Sequence, residues 1–218
     1  MQKNKTAYFI TGTDTDVGKT YIASALVRYF VQQGQTAVGM KPIAAGCEKI
    51  NGELRNADVN ALLAASNIVA RLEDVNPYTF EPAIAPHNAA EQVGATVSLN
   101  KIKHAFDALQ SQADVVIVEG AGGFRVPINR EQTMADLAVQ LNLPVIMVVG
   151  VRLGCINHAL MTAGSIKAAG LDLVGWVANR IEPDMPALEE NVQTLKAMIK
   201  APCIADVNWG AVPKFSGI

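Results

Sequence analysis

Thr11-Gly12-Thr13-Asp14-Thr15-Asp16-Val17-Gly18-Lys19-Thr20 lies between a short apolar stretch, Ala7-Tyr8-Phe9-Ile10, and a segment, Tyr21 to Phe30, whose Ile22, Leu26, Tyr29 and Phe30 share one helical face. The pattern predicts a buried strand, a glycine-bearing turn and a helix that begins at or just before Lys19. Such a turn aims unpaired backbone N–H groups and the positive end of a helix dipole at one point, which favours phosphates. Gly18 lets the backbone approach them, Lys19 reaches the β and γ oxygens, and the Thr20 hydroxyl can ligate an accompanying magnesium ion. The usual spacing, G-x-x-x-x-G-K-[ST], asks for its first glycine where Thr13 stands; here it is Gly12, one residue early. The stretch is read as a variant P-loop for a nucleoside triphosphate, against the alternative of a turn that holds no ligand.

The chain has 218 residues, half of them apolar, enough to bury the core of one ordinary domain, and residues 1–218 are expected to form a single unit. Eighteen basic against twenty acidic residues give a net charge of −2 without a Lys/Arg-rich block, so a nucleic-acid partner is not expected. Lys101 and Lys103 read as a solvated helix face. Met1 to Lys5 lead into a strand without the apolar segment of a secretory signal, and no run approaches membrane-spanning length, so a cytoplasmic protein without membrane contact is expected. Cys47, Cys155 and Cys203 are scattered and lack C-x-x-C spacing, as reduced thiols would be, and His87, His104 and His158 show no metal-ligand spacing.

Further strand signals are Thr36–Lys41, Val115–Val118, Val145–Val149, Leu173–Ala178 and, more weakly, Cys203–Val207. Helical stripes alternate with them: Leu99, Ile102, Phe106, Leu109; Met134, Leu137, Ala138, Leu141; Leu160, Ala163, Ile166; and Leu188, Val192, Leu195, Ile199. Strands apolar throughout, alternating with helices, indicate an α/β fold: a three-layer, doubly wound, mostly parallel sheet with helices on both faces. Residues 42–55 read as irregular, Asn76 to Pro86 as an excursion from the sheet, and Trp209 to Ile218 as loosely ordered.

In such a sheet ligands bind beyond the carboxyl ends of the strands. Glu119 follows Val115–Val118 and precedes Gly120-Ala121-Gly122-Gly123, which puts a carboxylate on that edge, where a second magnesium ligand belongs. Lys41 stands at the end of its strand just before Pro42, either near the phosphates or simply solvated. Asp58, early in a helix after Asn56, is open between a ligand and an acid that the dipole alone favours. Gly154-Cys155-Ile156-Asn157 opens a helix after the strand Val145–Val149; its amides receive an anion, or it is an ordinary turn. Asn179 closes the next strand with an amide able to donate to and accept from a base.

In this order GTDTDVGKT, KPIAAG, LRNAD, NPYTF, VEGAGG, PVIMVVGVRLGCINHA and GWVAN resemble the dethiobiotin synthetase family, over about Thr11 to Asn179. The joint occurrence of the P-loop variant, VEGAGG and LGCIN is far more specific than a P-loop alone. The resemblance implies a P-loop NTPase fold and an ATP- and magnesium-dependent ligase that closes the ureido ring of dethiobiotin from 7,8-diaminononanoate and carbon dioxide. It implies that Lys19 and Lys41 neutralise charge on the migrating phosphoryl group, and that Thr20, Asp58 and Glu119 hold magnesium. Asp16, Val17, Gly18, Lys19, Thr20 and Tyr21, with Glu119, Gly120, Ala121 and Gly122, would line the nucleotide. Asn179 would meet the adenine, with Arg180, Asn208 and Trp209 on the same side. Lys41 and Ala45 would face the substrate, and Gly154, Cys155, Ile156 and Asn157 would take its carboxylate. A homodimer is implied, with that turn reaching the neighbouring subunit's site.

Two departures stand out. Ala45 replaces a usual serine that helps to hold the substrate, and losing one hydrogen bond to a charged group costs about 1.5 to 3 kcal/mol, or roughly ten- to a hundredfold. On the adenine side Asn208 precedes Trp209 where the family has proline, Arg180 replaces a usual acidic residue, and the chain ends early. These departures motivate the alternative of a catalytically reduced paralogue that binds nucleotide without efficient turnover. Cobyrinic-acid amide synthetases share the loop but carry a glutaminase domain for which 218 residues leave no room. Partition-type switch ATPases place a lysine where this chain has Asp14.

Overall fold

The computed structural model describes residues 5–182 and 184–218, so the expected lead-in Met1 to Asn4 lies outside the described residues. Along the chain come β1 (Thr6–Gly12), α1 (Lys19–Gln32), β2 (Ala37–Met40), β3 (Ile43–Ala44), β4 (Glu48–Ile50), β5 (Glu53–Arg55), α2 (Ala57–Ala65), α3 (Leu72–Val75), β6 (Tyr78–Thr79) and α4 (Pro86–Gln92). Then follow α5 (Leu99–Gln112), β7 (Val115–Gly123), α6 (Met134–Leu141), β8 (Val145–Gly150), α7 (Cys155–Ala168), β9 (Leu173–Asn179), α8 (Leu188–Met198) and β10 (Cys203–Val207). Six strands form one sheet in the order β10-β9-β8-β1-β7-β2, and every pairing in it is parallel.

Successive side chains of a strand point to opposite faces, and the central strands divide the core accordingly. Phe9, Val116, Val118, Met147 and Trp176 pack on one side with buried residues of α5, α6, α7 and α8. Ile10, Val115, Ile117, Ile146, Val148 and Val177 pack on the other with Ile22, Leu26 and Phe30 of α1 and Leu62 and Ala65 of α2. This two-sided burial is why these strands read as unbroken apolar runs. In α7 the buried face is Cys155, Ala159 and Ile166, with Leu160 and Ala163 only partly covered.

Three expectations need correction. The strand expected to end at Val118 runs on to Gly123, because its glycine-rich end still pairs with β1, Gly123 opposite Gly12 across a register shift. Residues 42–55 are not irregular: β4 and β5 form an antiparallel hairpin around Asn51-Gly52, both with positive φ, as a two-residue hairpin turn demands. Trp209 to Ile218 has no regular secondary structure but is tied down. Tyr21 Oη donates to the Ala211 carbonyl, Ser216 N–H to the Ile204 carbonyl, and Phe215 packs edge-on against Tyr29.

Asn56 caps α2 by accepting from the N–H groups of Asp58 and Val59, and α2 is seated on β2 at a glycine. A Cβ at Gly39 would lie 2.7 Å from Leu62 Cδ2 and 2.8 Å from Leu62 Cβ, one turn along α2 from Asp58. Gly39→Ala is therefore expected to destabilise the protein by about 1–3 kcal/mol through overpacking, read by denaturant unfolding. Leu62→Ala in the same chain should recover part of that loss; a double variant less stable than the sum of the two singles would contradict this seating.

Candidate active site

The loop between β1 and α1 turns twice through left-handed backbone, at Asp16 (φ 57°) and at Gly18 (φ 85°). Gly18 is the residue before α1, and a Cβ there would come within 2.2 Å of Asn179 Nδ2. Only glycine accommodates both constraints. Asn179 Nδ2 donates to the Val17 carbonyl at 2.9 Å, so the end of β9 is fastened to the loop. Asp16 is exposed and Val17 buried.

Lys19 and Thr20 occupy the first turn of α1, and the sheet order brings the ends of β1, β7 and β2 side by side beneath them. Lys19 Nζ donates to the Asp14 carbonyl at 2.7 Å, curling back over its own loop. Thr20 Oγ1 donates to Glu119 Oε1 at 2.7 Å. The same oxygen accepts from Lys41 Nζ at 2.5 Å, and Lys41 also donates to Asp58 Oδ2 at 2.8 Å. Five residues separated by up to 100 positions thus converge: Lys19 and Thr20 from the first turn of α1, Lys41 directly after β2, Asp58 from α2 and Glu119 from β7. Lys41 is not solvated at a strand end; its side chain is 6% exposed and that of Glu119 is 0% exposed.

Charge follows burial and neighbours. Burial pushes the Lys19 ammonium down to about 8, nearby Lys41 adds to the fall, and Glu119, Asp58 and Asp16 pull partly back. Burial also opposes the charge on Lys41, but Glu119 and Asp58 outweigh it and hold the ammonium above its ordinary range. Asp58 is raised by burial yet held below the usual carboxylate range by Lys41.

Glu119 Oε2 is buried with no hydrogen-bond partner among the described residues. An orphaned, fully buried carboxylate oxygen beside a threonine hydroxyl and a second carboxylate is a set of hard oxygen donors, which suits magnesium. No group of three or more His, Cys, Asp or Glu is placed to hold a metal among the described residues. Two carboxylates and one hydroxyl are enough for an ion that keeps most of its shell as phosphate oxygen and water.

The other candidates lie around this centre. Gly120, Ala121 and Gly122 continue β7, and a Cβ at Gly122 (φ 63°) would crowd Val126. Ala45 is half-buried, and its carbonyl accepts from Asn56 Nδ2 at 3.3 Å. Gly154 (φ 90°) precedes α7, with Cys155 buried, Ile156 half-buried and Asn157 exposed. The Arg180 guanidinium is taken by Asp206 and Glu189, which raise its already high pKa. Asn208 and Trp209 are exposed in the turn after β10.

Several residues that shape the site were missed by sequence reasoning. Asn76 is 7% exposed; its Nδ2 donates to the Lys41 carbonyl, while the Lys41 N–H donates to the Val75 carbonyl, so the strand end bearing Lys41 is held from both sides. Arg152, just before the Gly154 turn, pairs with the Asp14 carboxylate of the phosphate loop. Asn56 has a recognisable signal, a cap residue before an apolar helix; Asn76 and Arg152 have none, since their partners lie 35 and 138 residues away.

The family description "AAA domain" matches residues 6–212. The ATP-dependent dethiobiotin synthetase of Aromatoleum aromaticum is 49% identical over 211 residues, 97% of this chain and 92% of that protein. That of Cellvibrio japonicus is 49% identical over 98% of this chain and 91% of its own, and that of Nitrosospira multiformis 51% over 90% and 85%. Among solved structures, MinD of Aquifex aeolicus superposes with a TM-score of 0.55 at 16% identity, covering 92% of this chain and 80% of its own. The signal recognition particle receptor FtsY of Elizabethkingia anophelis superposes with a TM-score of 0.53 at 16% identity over 100% of this chain, which spans only 62% of that one. These likenesses show the fold alone, a parallel sheet covered by helices.

The depressed Lys19 has a consequence for ligand binding. Below pH 8 its ammonium is present before a polyphosphate arrives; above it, binding must first take up a proton, so affinity falls as pH rises. ADP affinity measured by calorimetry is expected to weaken by up to about tenfold per pH unit above 8. Lys19→Met should bind weakly with no such slope, and a wild-type affinity that stays flat to pH 9.5 (an approximate upper limit set below the lysine range) would contradict the role given to this ammonium.

Proposed function

The chain belongs to the family of ATP-dependent dethiobiotin synthetases, and from that premise we propose that it is an ATP- and magnesium-dependent ligase that closes the ureido ring of dethiobiotin. The substrates are 7,8-diaminononanoate, carbon dioxide and ATP, and the products are dethiobiotin, ADP and phosphate. One amine adds to carbon dioxide and loses a proton to give a carbamate. A carbamate oxygen attacks the γ-phosphorus and ADP departs, leaving a carbamic-phosphoric anhydride. The second amine attacks the anhydride carbon, phosphate leaves, and the ring closes. Because the substrate supplies both nucleophiles, the protein's part is positioning and charge stabilisation.

The observation that supports this most is the convergence of Lys19, Thr20, Lys41, Asp58 and Glu119 at the phosphate loop. Lys19 is the loop cation for the β and γ oxygens. Lys41, kept charged by Asp58 and Glu119, carries a proton-bearing nitrogen at the strand end where the carbamate must meet the γ-phosphoryl group. Thr20, Asp58 and Glu119 would hold magnesium, whose chemistry there is to offset negative charge on the transferring group. Gly18 and Asn179, in contact with the loop, set where the nucleoside leaves it; Gly154 to Asn157 present helix N-terminal amides to the substrate carboxylate. We assign the protein to the cytoplasm as a homodimer whose Gly154 turn serves the partner's site; no helix among the described residues is long and apolar enough to cross a membrane.

Ala45 favours a second reading, a paralogue that binds nucleotide with reduced turnover. Its backbone is fixed by Asn56, so a hydroxyl at this position would be held in place, and its absence removes one contact to the substrate.

Glu119→Gln tests the site. Dethiobiotin formation should fall by about a hundredfold or more, and the gain in ADP affinity on adding magnesium should shrink while magnesium-free ADP binding persists. Unfolding followed in parallel separates this from simple loss of the buried pair with Lys41. A folded variant that retains both the magnesium effect and near-normal turnover would remove Glu119 from the metal set.

A further inference from the structure

The chain from Ala44 to Cys47, at the end of β3, is clamped from two sides. On one side the Phe80 N–H donates to the Ala44 carbonyl at 2.8 Å, and the Gly46 and Cys47 N–H groups donate to the Pro82 and Phe80 carbonyls, each at 3.0 Å. Gly46 (φ 71°) passes so close to this segment that a Cβ there would lie 3.2 Å from Ala83 Cβ. On the other side stands Asn56, whose Nδ2 donates to the Ala45 carbonyl at 3.3 Å. The β4–β5 hairpin lies between these two residues in sequence, and β4 is exposed throughout, so the Asn56 amide closes the base of the hairpin.

The other end of the same amide is also taken. Asn56 Oδ1 accepts from the Asp58 N–H at 3.0 Å and from the Val59 N–H at 3.3 Å, and Asp58 Oδ2 in turn accepts from Lys41 Nζ at 2.8 Å. One side chain therefore joins the Ala45 backbone to the first turn of α2 and, through Asp58, to Lys41. Capping a helix requires only an acceptor, which serine and aspartate supply as well as asparagine; the Nδ2–H donor is surplus to that task. Ala45 brings no hydroxyl, so what it presents to a substrate is backbone and methyl group, whose place Asn56 sets. Resting on the ligase reading above, we infer that Asn56 is a positioning residue for the diamine. Its Nδ2 holds the Ala45 backbone at a fixed distance from Asp58 and Lys41, so that the amine end of the substrate lies against the phosphoryl-transfer centre. The acceptor end of the amide serves Asp58 and the donor end serves the substrate.

Asn56→Ser keeps a capping oxygen but is too short to reach Ala45. In dethiobiotin formation its KM for 7,8-diaminononanoate should rise about two- to tenfold, the worth of one neutral hydrogen bond. Its kcat, its denaturant midpoint and the gain in ADP affinity on adding magnesium should stay as in the wild type. Asn56→Asp, which keeps shape and cap but turns a second oxygen toward the Ala45 carbonyl, should raise KM further. Asn56→Ala removes the cap as well, so its stability and its magnesium effect should fall along with the rise in KM. An unchanged KM in either cap-retaining variant leaves Asn56 a helix cap alone and overturns the inference while the ligase reading stands. So does an Asn56→Ser variant that loses stability and the magnesium effect in step with KM. A wild-type protein that forms no dethiobiotin overturns the ligase reading and the inference with it.

Discussion

A buried ammonium between two carboxylates organises this protein. Lys41 bridges Asp58 and Glu119, and losing the ammonium of such a pair typically costs about 3–5 kcal/mol, since it leaves the fully buried Glu119 carboxylate uncompensated and out of water. The bridge therefore requires three elements to stay in register: the end of β2, the first turn of α2 and the middle of β7. Each is fixed independently. Asn76 holds the Lys41 backbone, Asn56 caps the helix that carries Asp58, and four parallel pairs of β2 with β7 set the level of Glu119. Thr20 joins the first turn of α1 to the same carboxylate.

The topology explains why the functional groups meet there. β1 is flanked by β7 and β8, so the chain leaves β1 toward β2 on one side and later crosses from β7 to β8 on the other. That change of direction opens a crevice beyond the strand ends, the usual ligand position in an open parallel sheet. The phosphate loop fills it from β1, the cation–carboxylate cluster borders it on the β7–β2 side, and Asn179 at the end of β9 reaches the loop from the other side. Arg152, paired with Asp14, links the loop to the turn before α7, so the sites proposed for phosphate and for substrate carboxylate share one ion pair.

Much of this was legible in the sequence because burial on both faces writes itself as apolar runs, and the six main strands were found within a few residues. The glycines after Glu119 misled, since glycine weakens strand propensity while the pairing of Gly123 with Gly12 still extends the strand. The β4–β5 hairpin is short and its strand residues are half-buried or exposed, so little alternation marked it. At the site, Lys19, Thr20 and Glu119 followed from their place between strand and helix or directly after a buried apolar run, although Glu119 lies in the middle of β7 and not at its end. Asp58 did not, because an acid in a first helical turn has a sufficient local reason to be there. What separates it from such an acid is Lys41, 17 residues away, and only folding brings them together. The tail was misread for a similar reason: its contacts, Tyr21 to Ala211 and Tyr29 to Phe215, are long-range and leave no period in the sequence.

Under the proposed function the phosphate loop and the Lys41 cluster serve ring closure on a diamine rather than nucleotide hydrolysis or binding alone. The decisive measurement is phosphate release from ATP with magnesium, bicarbonate and 7,8-diaminononanoate, each omitted in turn, with the product identified by mass. Expected is release that requires the diamine and yields dethiobiotin, with Ala45 tolerated. Hydrolysis independent of the diamine, or tight nucleotide binding without product, would contradict it.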